Sequence, residues 1–194
     1  MGRRAFLRPV PVLAAMLLLG GCGSAAVETF NLSAPTQNLG GRAGRGQLVV
    51  MEPVATAPYD SDRIVVRTAP GSVAYLKGAQ WSEQLPRLLQ SRIVQTFENS
   101  RLLRAVGRPG DRLVATVSLN MEIRRFDIDV QSGQAVVEIS AKMISDAAGR
   151  IRGARIFRAS APGSASNGRA ASAALDQAME QVLREMIAWS SAYV

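Results

Sequence analysis

Leu113-Val114-Ala115-Thr116-Val117-Ser118-Leu119-Asn120-Met121-Glu122-Ile123-Arg124 is the stretch that decides the fold. Its odd positions are apolar and most of its even positions are polar, the period of two expected of a strand with one wet face. The pattern returns in Ala135, Val137, Ile139, Ala141 and Met143, set against Glu138, Ser140 and Lys142. Gln131-Ser132-Gly133-Gln134 supplies a turn between the two strands. Asp146-Ala147-Ala148-Gly149 leads to a third strand over 150–159. Long strands joined by short polar turns predict an antiparallel meander over 112–159, dry on one face.

That dry face needs a cover, and two segments of helical period provide one. Leu85, Leu88, Leu89, Ile93 and Phe97 fall on one side of a helix predicted over 82–99, with Arg87, Gln90, Ser91 and Gln95 on the polar side. Ser82 reads as its N-cap, Pro86 lies in the first turns, and Asn99 reads as the left-handed end. Ala171, Leu175, Ala178, Met179, Val182, Met186 and Trp189 mark a second helix over 170–189. Met179 and Met186 fit as soft core fillers, or as the lining of an acyl groove. Upstream, Leu48-Val49-Val50-Met51 reads as a strand covered on both faces, and Arg63-Ile64-Val65-Val66-Arg67 with Val73 to Leu76 as a hairpin around Ala69-Pro70-Gly71. Arg101 to Val106 reads as a further short strand, and 160–169 as a small-residue connection. The fold class that follows is α/β, one domain over 47–194, a mixed sheet covered by two amphipathic helices.

The N-terminus has another character. Arg3, Arg4 and Arg8 precede a short apolar run from Val10 to Leu19, and Gly20, Gly21 and the chain's single cysteine, Cys22, follow. This is the order of a secretory signal peptide over 1–21. Leu19-Gly20-Gly21-Cys22 resembles the lipobox of bacterial lipoproteins, in which the thiol receives a diacylglycerol and the chain is cut between Gly21 and Cys22. A transmembrane anchor needs roughly 20 apolar residues, more than this run offers. The resemblance implies an N-acyl, S-diacylglyceryl Cys22 as the mature N-terminus, with 22–46 as tether and linker. Gly23 stands where enterobacterial lipoproteins kept in the inner membrane tend to carry aspartate, which implies the outer membrane. Phe30-Asn31-Leu32 interrupts the tether as either an edge strand or a hydrophobic latch.

The composition limits the chemistry. The chain holds 23 Lys and Arg, 15 Asp and Glu and no histidine, for a formal charge of +8. The leader removes three arginines and no acid, which leaves +5, a balance that suits an anionic surface or simply an arginine-rich solvated one. Without histidine there is no Ser-His or Cys-His nucleophile pair and no His-based zinc site. No phosphate-cradling Gly-x-x-x-x-Gly-Lys-Ser/Thr loop occurs. A single lipidated cysteine leaves none for a disulfide within the chain. No catalytic residue, metal ligand, cofactor or nucleic-acid site is expected.

Arg63-Ile64-Val65-Val66-Arg67, then Tyr75, Trp81 with Leu85-Pro86 and Leu88-Leu89, the strand through Arg124-Arg125-Phe126-Asp127, and the Ala-rich helix ending at Trp189 resemble the ABC-type transport auxiliary lipoproteins of the PqiC type. Phe30-Asn31-Leu32 matches more loosely, since the family often has a tyrosine there. The resemblance implies a non-enzymatic lipoprotein working beside an Mce-domain protein and an ABC permease and ATPase, moving phospholipid or related lipids across a Gram-negative envelope. It leaves open a homo-oligomer, and the alternative of a pilotin or scaffold for another outer-membrane machine. Trp81, Arg124 and Arg125 are the candidate partner or lipid contacts. Each also has a plainer reading, Trp81 as a core cap and the arginine pair as a solvated strand end.

Overall fold

The computed structural model describes Gly2 and residues 26–36 and 46–194. In chain order the elements are β1 (Glu28–Phe30), β2 (Gln47–Val50), β3 (Val54–Ala55), β4 (Arg63–Ala69), β5 (Ser72–Trp81), α1 (Leu85–Ser100), β6 (Ala105–Gly107), β7 (Val117–Asp129), β8 (Gln134–Ser145), β9 (Arg150–Pro162) and α2 (Gly168–Ser190). They form one mixed α/β domain with a nine-stranded sheet and two helices among the described residues.

β7 is the axis. One of its edges pairs antiparallel with β8 along its whole length, and β8 pairs antiparallel with β9, so the expected meander forms. The other edge takes β2, β3 and β4 in succession, all parallel to β7, at Val117–Leu119, Glu122–Ile123 and Asp127–Asp129. β4 and β5 make the expected hairpin, and β1 adds parallel to the end of β5. Phe30-Asn31-Leu32 is therefore both strand and latch: Phe30 ends β1 and Leu32 is buried. The folded body thus begins near residue 28 rather than 47, so 28–36 does not belong to a linker. Ser33 is held by two hydrogen bonds to the Asp176 carboxylate of α2.

The apolar alternation places Val117, Leu119, Met121 and Ile123 in the core. The strand starts four residues later than its pattern, at Val117, and does not end at Arg124-Arg125. A β-bulge between Ile123 and Arg125 inserts one residue and reverses the phase. Phe126 and Ile128 then occupy the core face, while Arg125, Asp127 and Asp129 project from the other. Both helices pack on the core face, α2 over β8, β9, β5 and β1, and α1 over β2 and β6. β2 buries Leu48 and Val50 but leaves Val49 partly exposed, so it is covered on one face, not two.

α1 departs from its predicted ends. Gln84 is the N-cap and makes no side-chain capping bond, while the Ser82 amide donates to the Phe30 carbonyl. Arg101, at φ 54°, takes the left-handed position assigned to Asn99. Asn99 stays helical and donates from Nδ2 to the Pro35 carbonyl.

Gln90 corrects the helical wheel. It is buried, and its Nε2 donates to the Val50 carbonyl across 2.9 Å. Leu89→Ala should cost about 2–5 kcal/mol as a buried leucine truncation. Gln90→Ala should cost about 1–3 kcal/mol by leaving a buried carbonyl without its donor. Gln95→Ala, on the exposed side of α1, should stay within about 0.5 kcal/mol. Denaturant melts of the three variants check this order, and equal losses for Gln90 and Gln95 would contradict it.

Candidate functional site

The phase reversal in β7 places a carboxylate where an open sheet face would otherwise carry solvated side chains. Asp127 is wholly buried, because the excursion between β3 and β4 folds over it. Tyr59, from that excursion, donates its hydroxyl to Asp127 Oδ2 at 2.6 Å. Arg125 donates from Nη2 to Asp127 Oδ1 at 2.6 Å and from Nε to Oδ2 at 3.3 Å. Arg67, whose strand pairs with β7 at this level, donates to the Tyr59 oxygen at 3.2 Å and to Asp127 Oδ2 at 3.4 Å. Asp129 completes the group: its Oδ2 accepts from Arg125 at 3.3 Å and its Oδ1 from the Gln131 and Ser132 amides of the next turn.

The electrostatics agree with the geometry. Burial, and then the hydrogen bond to Asp127, push the Tyr59 hydroxyl up to about 12, so it remains a donor. The Asp127 hydrogen bond raises Arg125 against the opposing effect of burial. The amide of Ser132 lowers Asp129 below the usual carboxylate range, with Arg125 contributing. Two guanidinium groups and a phenol occupy the Asp127 oxygens, and no part of that carboxylate reaches solvent. Its chemistry is that of a fastening, which pins the 56–62 excursion to the sheet, rather than that of an acid or base.

The expected contact residues separate here. Trp81 is buried against Phe126, with ring centroids 5.8 Å apart at 78°, so it is a core cap and offers no surface to a partner or lipid. Arg125 is consumed by Asp127 and Asp129. Arg124, the residue that the bulge turns outward, is exposed and pairs with Glu122 at 3.6 Å. Met179 and Met186 are wholly buried, as core fillers. Gly21 and Cys22 lie outside the described residues.

Beyond the fastening, the open face is shallow. A cleft of about 260 Å³ is lined by Val54, Asn120, Met121, Glu122, Ser140 and Lys142. Among the described residues no cluster of three or more Asp, Glu, Cys or His is placed to hold a metal ion, and no helix is long and apolar enough to cross a membrane.

The family model of the ABC-type transport auxiliary lipoprotein component matches residues 29–187, from β1 to the last turns of α2. The chain belongs to this family. A crystal structure of protein XCC0632 from Xanthomonas campestris superposes with a TM-score of 0.77 at 28% identity, covering 85% of this chain and 95% of that one. The hypothetical protein CT253 from Chlamydia trachomatis shares the fold, with a TM-score of 0.54 at 12% identity over 77% of this chain and 98% of that one. The uncharacterized protein bll6063 of Bradyrhizobium diazoefficiens is 32% identical over 180 residues, 89% of this chain and 47% of its own length. The chain thus spans about half the length of that curated relative.

The fastening itself was not read from the sequence. Its one signal is Asp127 between Phe126 and Ile128, an acid set among core residues of a strand.

Proposed function

We propose that this protein is the outer-membrane, lipid-anchored auxiliary component of an Mce-type ABC transport system and acts without catalysis to move phospholipid or related lipids across the envelope. The family match over 29–187 carries the reading, and the Leu19-Gly20-Gly21-Cys22 lipobox supplies the anchor. The geometry supports a positioning role. Among the described residues, wholly buried Asp127 is spent on holding a loop, and the depression on the open face between Val54 and Lys142 is a cleft. An anchored domain of this kind fixes its surfaces at one membrane and so favours contact with a partner spanning the periplasm. Solubilised native membranes provide the test. Pull-down of the tagged, full-length protein should enrich an Mce-domain protein over an untagged control, and recovery of an unrelated outer-membrane assembly machine in its place would overturn the reading.

A further inference from the structure

The parallel pairing of β1 with β5 gives the N-terminus a direction. Thr29 pairs with Gln80, and Gln80 with Arg63 of β4, so the three residues form one row across the sheet. Because β1 and β5 run parallel, the chain ahead of Thr29 is directed toward the start of β5, which is the turn of the β4–β5 hairpin. From the row to that turn, six steps of β4 at about 3.3 Å each span roughly 20 Å. From Thr29 back to Cys22, seven residues at about 3.5 Å each reach at most about 24 Å. The tether is therefore long enough for the anchor to reach the level of the hairpin tip.

The surface at that end matches the direction. Val73 is 40% exposed, Tyr75 39% and Val130 52% there, and Val27, 51% exposed, lies on the approach to it ahead of β1. Val130 follows β7 directly and its amide donates to the Arg67 carbonyl, which places it beside the hairpin. The Arg63 guanidinium lies over the Tyr75 ring, 4.6 Å from its centroid. Among the described residues the other exposed large apolar side chains are dispersed: Val54 and Ile156 on the open sheet face, Ile151 and Val114 at the opposite end. Gly78, at φ 69°, allows β5 to bulge outward there, with residues 76–79 facing the single residue Ile64. Val27, Leu76 and Lys77 line the resulting hollow. Exposed valines, a tyrosine with a polar tip and a lysine able to reach upward are the composition of an interfacial contact. Around that hollow Arg63 and Lys77 are offset by Glu28 and Asp62, so attraction to anionic lipid is not required there.

From this geometry we propose that the end of the domain bearing Val73, Tyr75 and Val130, which the chain through Val27 approaches, docks on the phospholipid headgroup layer and sets the domain's orientation on the membrane. The proposal rests on lipidation of Cys22. Its test uses the mature lipidated protein on phosphatidylethanolamine–phosphatidylglycerol vesicles. Cys22 is the chain's only cysteine, so once it is acylated a thiol introduced by Val73→Cys or Val130→Cys takes a nitroxide alone, and Ile151→Cys and Val114→Cys report the other end. Collision with membrane-partitioned oxygen, relative to an aqueous nickel complex, should be several-fold higher at 73 and 130 than at 114 and 151. Lipid on Cys22 and vesicle binding with equal ratios at both ends would overturn the docking face alone. Absence of lipid on Cys22 would overturn the docking face and the anchor together.

Discussion

Replacing Asp127 with alanine is expected to cost about 3–5 kcal/mol, the loss typical of breaking a buried ion pair from one side. The carboxylate is wholly buried and accepts from Tyr59, Arg67 and Arg125. Its removal leaves the Tyr59 hydroxyl without its acceptor and Arg67 without a carboxylate, while Arg125 keeps Asp129. Removing Arg124, one residue from the network but exposed and paired only with exposed Glu122, should cost less than about 1 kcal/mol. Equilibrium denaturation of Asp127→Ala and Arg124→Ala separates the buried carboxylate from its exposed neighbour, and similar midpoints would mean that the network does not fasten the fold. A pH signature accompanies it. The Tyr59 hydroxyl is raised from 10.0 to about 12 by folding, so the stability it contributes is fully present below pH 10 and is lost as pH climbs through about 12. Tyr59→Phe should remove that part of the alkaline decline.

Cys22→Ser is expected to abolish lipid labelling altogether. Transfer of the diacylglyceryl group needs a nucleophile that is partly ionised near neutral pH, which a thiol provides and a serine hydroxyl does not. Stable anchoring takes more than one acyl chain, so no residual attachment through the domain surface should replace it. The measurement is incorporation of labelled palmitate, read together with the size of the product, because the uncleaved precursor keeps residues 1–21. Equal labelling of wild type and Cys22→Ser would remove the anchor from this account.

How much of this was legible follows from where side-chain period is informative. The alternation in 113–143 specified the meander, because burying one sheet face leaves little freedom of register. The apolar stripes of α1 and α2 were equally plain. Three features escaped because each depends on a distant partner. Gln90 reads as polar surface until Val50 presents a bare carbonyl to it. Arg124 and Arg125 read as a strand end until the bulge gives them opposite fates. Glu28 and Thr29 read as tether beside Phe30-Asn31-Leu32, where edge strand and latch both stay open, and only the pairing with Ala79–Trp81 fixes the strand and its bounds. The fastening at Asp127 joins positions 59, 67, 125 and 127, a spacing that no local pattern announces.

The central claim is that this auxiliary lipoprotein and an Mce-type transporter act in one pathway, and the most direct measurement is a comparison of single and double deletions. Envelope permeability and outer-leaflet phospholipid would be assayed in strains lacking this protein, the Mce component, or both. The account predicts that each single deletion gives the same defect and that the double deletion adds nothing to it. Clearly additive defects in the double deletion would contradict it and would place this protein with a different outer-membrane machine.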